Sequence, residues 1–165
     1  MSQKFASMDE LFEALSHSAF RSKFRLSYAD RTYAETRNDE LLKKHAKEIL
    51  HDRIGSANPK NDGKQTPYKG HPIFTAQHAT GCCCRGCLYK WHGIDKGREL
   101  TEEELNTLSD VILEWIHRDL QKPTPKKRVR KGETLDLFDQ DKFPFLKVFN
   151  TFQEGFFRSF RTQPN

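Results

Sequence analysis

Four thiols packed into six positions constrain this chain more than anything else in it. Cys82, Cys83, Cys84 and Cys87 are all the cysteines it has, and His71, His78 and His92 lie in the same stretch, HPIFTAQHATGCCCRGCLYKWHGIDKGR. An unbroken Cys-Cys-Cys run is poor core material, although single free cysteines are often small buried hydrophobes. The two-residue gap from Cys84 to Cys87 lets one backbone turn present both sulfurs to a single ion. His92 follows Cys87 by five positions, His78 precedes Cys84 by six, and Cys83 supplies a third thiolate. The leading expectation is therefore a zinc site drawn from Cys84, Cys87, His92, His78 and Cys83.

Two rivals use the same residues. Cys84 and Cys87 also make a CxxC dithiol whose thiolates Arg85 and Lys90 would favour, but such redox motifs sit in a βαβ setting and no such alternation occurs here. A disulfide framework fits less well, because bridges among clustered cysteines close only tiny loops and constrain the unfolded chain little.

A net charge of +5 and a pI near 9.0 favour an anionic partner such as nucleic acid. The first ten residues lack the apolar core of a signal peptide and no run reaches membrane-spanning length, so with unpaired thiols the chain reads as cytoplasmic.

The first fifty residues read as helical. Ser7 with Glu10 and Ser27 with Asp30 suit helix starts, and Met8, Leu11, Phe12 and Leu15 share a face. Phe20 and Phe24 come four apart in a basic segment with Arg21, Lys23 and Arg25. Asp39 opens a helix with Leu41, Leu42, His45, Ile49 and Ile54 on its stripe and Gly55 as its stop, His45 being a packed core residue. Thr101 with Glu104 opens the strongest one, with Leu105, Leu108, Ile112, Trp115, Ile116 and Leu120 on one side and Pro123 beyond its end.

Residues 55–80 change character. SANPKNDGKQTPYKGHP has too little apolar content for a regular element, and a loop of this length in a small domain is often functional. Asp62, His71 and His78 are the candidate proton carriers if the site is catalytic, and Lys64 is a candidate phosphate contact. IFTAQHAT reads as a short strand leading into the cysteines.

The strings NDGKQTP, GHPIFTAQHAT, CCRGCLYKWHGI and KGRELTEEE resemble the bacterial domain-of-unknown-function family numbered 4186, over about residues 9–120. That family's Cys-Cys-Arg-x-Cys pattern falls on Cys83, Cys84, Arg85 and Cys87, which implies that Cys82 is the least expected ligand. The resemblance treats loop and cluster as one site and names no reaction.

Beyond it, KPTPKKRVRK carries six Lys/Arg and no acid. Lys126, Lys127, Arg128 and Arg130, with Lys64 and Arg85, are the candidate nucleic-acid contacts, each neutralised phosphate releasing counterions. TLDLFD follows, and Leu135, Asp136, Leu137 and Phe138 are similar to the peptide by which bacterial DNA-maintenance proteins bind the replicative sliding clamp, with Thr134 in place of the usual glutamine. Phe145, Phe149, Phe152, Phe156 and Phe160 then follow helical spacing.

The sequence thus reads as a mainly α single small domain (residues 1–120) carrying an irregular metal-binding loop at 55–98 with room for a short strand pair. A basic linker (121–133) and a Phe-rich tail (134–165) follow. The function expected first is a zinc-binding, nucleic-acid-associated module. A metal-dependent hydrolytic enzyme using the 62–92 loop and a tail-borne adaptor or inhibitor at the sliding clamp are the alternatives.

Overall fold

Helix ends are where this chain states its structure most plainly. The computed structural model describes residues 5–126, and within them lie six α-helices and no strand. They are α1 (Met8–Ser16), α2 (Tyr28–Glu35), α3 (Asp39–Leu50), α4 (Pro72–Thr80), α5 (Arg85–His92) and α6 (Glu102–Leu120). Ser27 with Asp30, and Thr101 with Glu104, close full capping boxes, each side chain satisfying a backbone N–H that the first helical turn leaves unpaired. At α1 the pattern is half made: the Ser7 hydroxyl accepts from Glu10 N, while the Glu10 carboxylate accepts from Ala6 N at 2.9 Å.

The stripe read on α6 is the centre of the core. Leu105, Leu108, Ile112, Trp115 and Ile116 are all buried, facing Leu42, Ala46 and Leu50 of α3 and Ile73, Ala76 and Ala79 of α4. α3 runs on through a π-helical turn, His51–Gly55, which buries Ile54 completely before the Gly55 carbonyl accepts from Leu100 N at 2.8 Å. Leu41, placed on the stripe from sequence, is instead 38% exposed. His45 is half-buried, its Nδ1 3.2 Å from the Tyr33 hydroxyl.

The strand expected at IFTAQHAT is corrected: Pro72–Thr80 is helix α4. Eight of its nine residues are buried, so apolar and small residues surround it and no 3.6-residue period shows in the sequence. His71 caps its start and Pro72 takes the first helical position, where a missing N–H costs nothing.

The far end of α6 is held by charge. Asp119 is fully buried, accepts from Leu26 N at 2.9 Å, and pairs with Arg25 at 2.7 Å. Arg31, itself buried, donates to the Asp119 carbonyl at 2.7 Å and to that of Leu120, satisfying carbonyls that the helix end would otherwise orphan. These contacts tie the chain before α2, and α2 itself, to α6. No helix among the described residues is long and apolar enough to cross a membrane.

Candidate metal centre

The cysteines lie at the start of α5. Cys84 is its N-cap, in extended backbone, and its Sγ accepts from Cys87 N at 3.4 Å. N-cap and third helical position share one side of a first turn, so Cys84 and Cys87 converge as the two-residue gap requires, and Cys83 joins from the preceding residue. The three Sγ atoms lie within 4.8 Å of one another, with Cys83 and Cys87 at 3.5 Å. Tetrahedral zinc–thiolate bonds of about 2.3 Å place sulfurs about 3.8 Å apart, whereas a disulfide needs about 2.05 Å. Three cysteines so arranged are able to hold one metal ion.

Their protonation is already uneven. Hydrogen bonds from the Cys83 and Cys84 thiols, together with the Arg21 guanidinium 3.2 Å from its sulfur, hold the Cys87 thiol far below its ordinary range. Cys83 is driven up as the donor to Cys84 and Cys87, and by burial. At Cys84 the hydrogen bond with Cys83 lowers the thiol, but that to Cys87 and burial outweigh it. The helix N-terminus favours negative charge at the same place. Three thiolates around a divalent ion leave one net negative charge, and Arg21 stands beside it.

Cys82 belongs to a different environment. It is fully buried, its Sγ lies 3.4 Å from His92 Nε2, and burial pushes its thiol up to about 12. His92 Nε2 also lies 2.9 Å from the Thr80 carbonyl, and burial holds this imidazole down to about 4. His92, expected as a ligand, thus faces the cysteine expected least and not the three thiols. His92 also lines a cavity of about 430 Å³, together with Trp91, Arg98 and Glu104 among others.

The remaining candidates are dispersed. His78 is buried, with Nε2 3.1 Å from the Thr66 carbonyl and its ring stacked on Tyr68 at 4.1 Å and 9°. Burial lowers its pKa. His71 caps α4, its Nδ1 accepting from Ile73 N at 3.3 Å, and its ring meets Tyr33 edge-on. Asp62 does reach the site: its Oδ1 accepts from Arg85 N at 3.0 Å, in the first turn of α5. Lys64 and Lys126 are exposed.

Arg85 must be corrected as a phosphate contact. It is 1% exposed, and its guanidinium donates to the carbonyls of Ile54 at 3.3 Å, Asp95 at 2.6 Å and Arg98 at 2.9 Å. It is the peg that fixes α5 to the chain on either side. Lys127, Arg128 and Arg130, and Leu135, Asp136, Leu137 and Phe138 with the rest of the tail, lie outside the described residues.

Three residues of the site escaped the sequence reading. Arg21 bridges the Cys87 sulfur and the His78 carbonyl, and Trp91 lies 5.2 Å from its cation; only its place in a basic, Phe-bearing segment marked it. Thr66 donates to the Cys83 carbonyl at 2.9 Å and so pins the loop to the cysteines. Gly81 ends α4 at φ +80°, and a Cβ there would meet the Trp91 ring at 2.9 Å.

No solved structure matches this chain. The sequence model of a family described as a domain of unknown function, DUF4186, matches residues 9–117, which takes in every described helix but the first residue of α1 and the last turn of α6. That span includes the three thiols, Arg21, Thr66 and Arg85, and the chain therefore belongs to the DUF4186 family.

Proposed function

We propose that this protein is a zinc-binding module that associates with nucleic acid, with the metal held by Cys83, Cys84 and Cys87. The observation that carries the reading is the convergence of three Sγ atoms within 4.8 Å at a helix N-terminus. Soft thiolates at this spacing suit zinc, and Arg21 offsets the surplus negative charge. The net charge of +5 supports an anionic partner, with exposed Lys64 in the same loop as Asp62.

One observation favours a second reading. Three protein thiolates leave a fourth tetrahedral position to a ligand from elsewhere, which is how a hydrolytic centre admits water. Against it, three thiolates donate more charge than the histidine-rich sets of catalytic zinc and so weaken the ion's pull on a bound water. Of the expected proton carriers, His71 and His78 are engaged elsewhere, and the Asp62 carboxylate accepts from Arg85 N and Gln65 Nε2. The binding module is therefore ranked first.

The test is the metal content of the untagged protein and of three variants. One zinc per chain is expected in the native protein, in Cys82→Ala and in His92→Ala, and none in Cys84→Ser. Absence of metal from the native protein, with a dithiol that cycles under mild oxidant, would replace this reading with the redox one.

A further inference from the structure

Beside the metal centre runs a row of aromatic rings whose middle member, Phe24, packs on the core while Phe20 and Tyr68 stand outside it. Phe20 is 43% exposed and Tyr68 59% exposed. Phe24 joins them: its ring is 5.1 Å from Phe20, edge-on, and 6.3 Å from Tyr68 at an interplanar angle of 7°. Tyr68 lies flat on His78, so one face of its ring is backed by the fold. Exposed aromatics on a soluble surface are ordinary when single, but a linked row held flat by a buried histidine is preorganised for stacking.

The charge around the row has one sign. Residues 18–26 and 60–71, the two segments that supply it, carry six Lys/Arg, of which Arg25 is paired with Asp119 and Arg21 is buried, against the single carboxylate of Asp62, which is engaged with Arg85 N. Lys23 stands 5.5 Å from the Phe20 ring centre, and Lys69 follows Tyr68 directly and is exposed. Ammonium groups beside exposed rings are what a strand with unpaired bases needs: cations for its phosphates, and rings for its bases. A duplex hides its base faces. Neither Phe20 nor Tyr68 lies on a helix that could enter a groove.

We infer that Phe20 and Tyr68, with Lys23 and Lys69, form a stacking platform for single-stranded nucleic acid. The inference rests on the nucleic-acid reading above and gives that reading a place and a strandedness. Arg21 connects platform and metal centre, since it lies between Phe20, 5.9 Å from its cation, and the Cys87 sulfur.

The experiment is fluorescence anisotropy of a labelled 12-nucleotide oligothymidylate with the zinc-loaded full-length protein at fixed low salt. It is repeated in a full-length background in which Lys126, Lys127, Arg128 and Arg130 are serine, so that the basic run does not mask the platform. The double variant Phe20→Ala/Tyr68→Ala removes two stacking rings and is expected to bind at least roughly 30-fold more weakly, with zinc content and urea midpoint unchanged. Equal binding by native and double-variant proteins would overturn the platform and leave nucleic-acid association standing elsewhere. Equal competition by duplex or heparin would overturn it in favour of a general polyanion surface. Failure of the native protein to bind any oligonucleotide would overturn the nucleic-acid reading as well, while the zinc measurement stands apart from all three outcomes.

Discussion

Cys82 and Cys84 are two positions apart and live in opposite surroundings. Cys82 follows the left-handed Gly81, faces the core beside His92, and holds its proton tightly. Cys84 begins a helix, points at the other two thiols, and shares its proton network with a thiolate. The backbone between them turns from the end of α4 to the start of α5, so identical side chains are sent to different sides of one junction. The difference teaches that a cysteine run is not one ligand set. Helix-start geometry gathers three of its members, and burial claims the fourth.

The sharpest way to break this comparison is to remove the peg that fixes the junction. Arg85→Met leaves the buried Ile54 carbonyl and the part-buried carbonyls of Asp95 and Arg98 without their cationic donor and should cost at least about 3 kcal/mol, since hydrogen bonds to charged groups contribute about 1.5–3 kcal/mol each. Urea unfolding at matched zinc measures it, and a loss under about 1 kcal/mol would show that Arg85 is dispensable to the fold.

A smaller effect separates the two environments. Gly81→Ala puts a Cβ at positive φ and 2.9 Å from Trp91, a cost of about 2 kcal/mol from backbone strain plus displacement of the ring. Cys84 and Cys87 sit on the first turn of α5 and Cys83 directly before it, so zinc stoichiometry should stay at that of the native protein while tryptophan emission shifts. Loss of zinc in Gly81→Ala would mean that the Cys82 side and the metal side are one unit.

The smallest effect is on acid sensitivity. The folded protein holds the His92 imidazole near 4, below the ordinary value near 6.5. Below pH 6.5 the unfolded chain therefore takes up a proton that the folded chain refuses. This contribution to stability is full above pH 6.5 and is lost as pH falls toward 4. His92→Gln should flatten the decline over that window in urea midpoints of metal-free, reduced protein. Some slope should remain, because burial lowers His78 and His71 as well. An unchanged slope would remove His92 from the acid response.

Much of the fold was legible beforehand, for reasons that particular residues make plain. α6 showed because Leu105, Leu108, Ile112 and Ile116 face the core while Glu102, Glu103 and Thr107 face water, and such one-sided burial writes a 3.6-residue period into the chain. α4 did not show because Ile73, Ala76, Gln77 and Ala79 are buried on several faces at once. Of the site, the Cys84–Cys87 pair was legible because its convergence is local. His92 was misplaced because proximity in sequence does not say which side of α5 a ring lies on. Thr66 had no local signal and Arg21 only its basic, Phe-bearing segment, since their partners are 17 and 66 positions away.

The sequence by itself determined what local chemistry settles: the helix starts at Ser27 and Thr101, the core stripe of α6, and a first turn able to bring two sulfurs together. Only the tertiary structure decided that the Cys83 sulfur lies with those of Cys84 and Cys87, that Cys82 instead faces His92, and that Arg85 is a buried peg and not a phosphate contact. The physical reason is distance along the chain. A cap or a stripe is fixed by neighbours within a turn or two, whereas burial and long-range hydrogen bonds depend on which distant segments the closed core brings alongside.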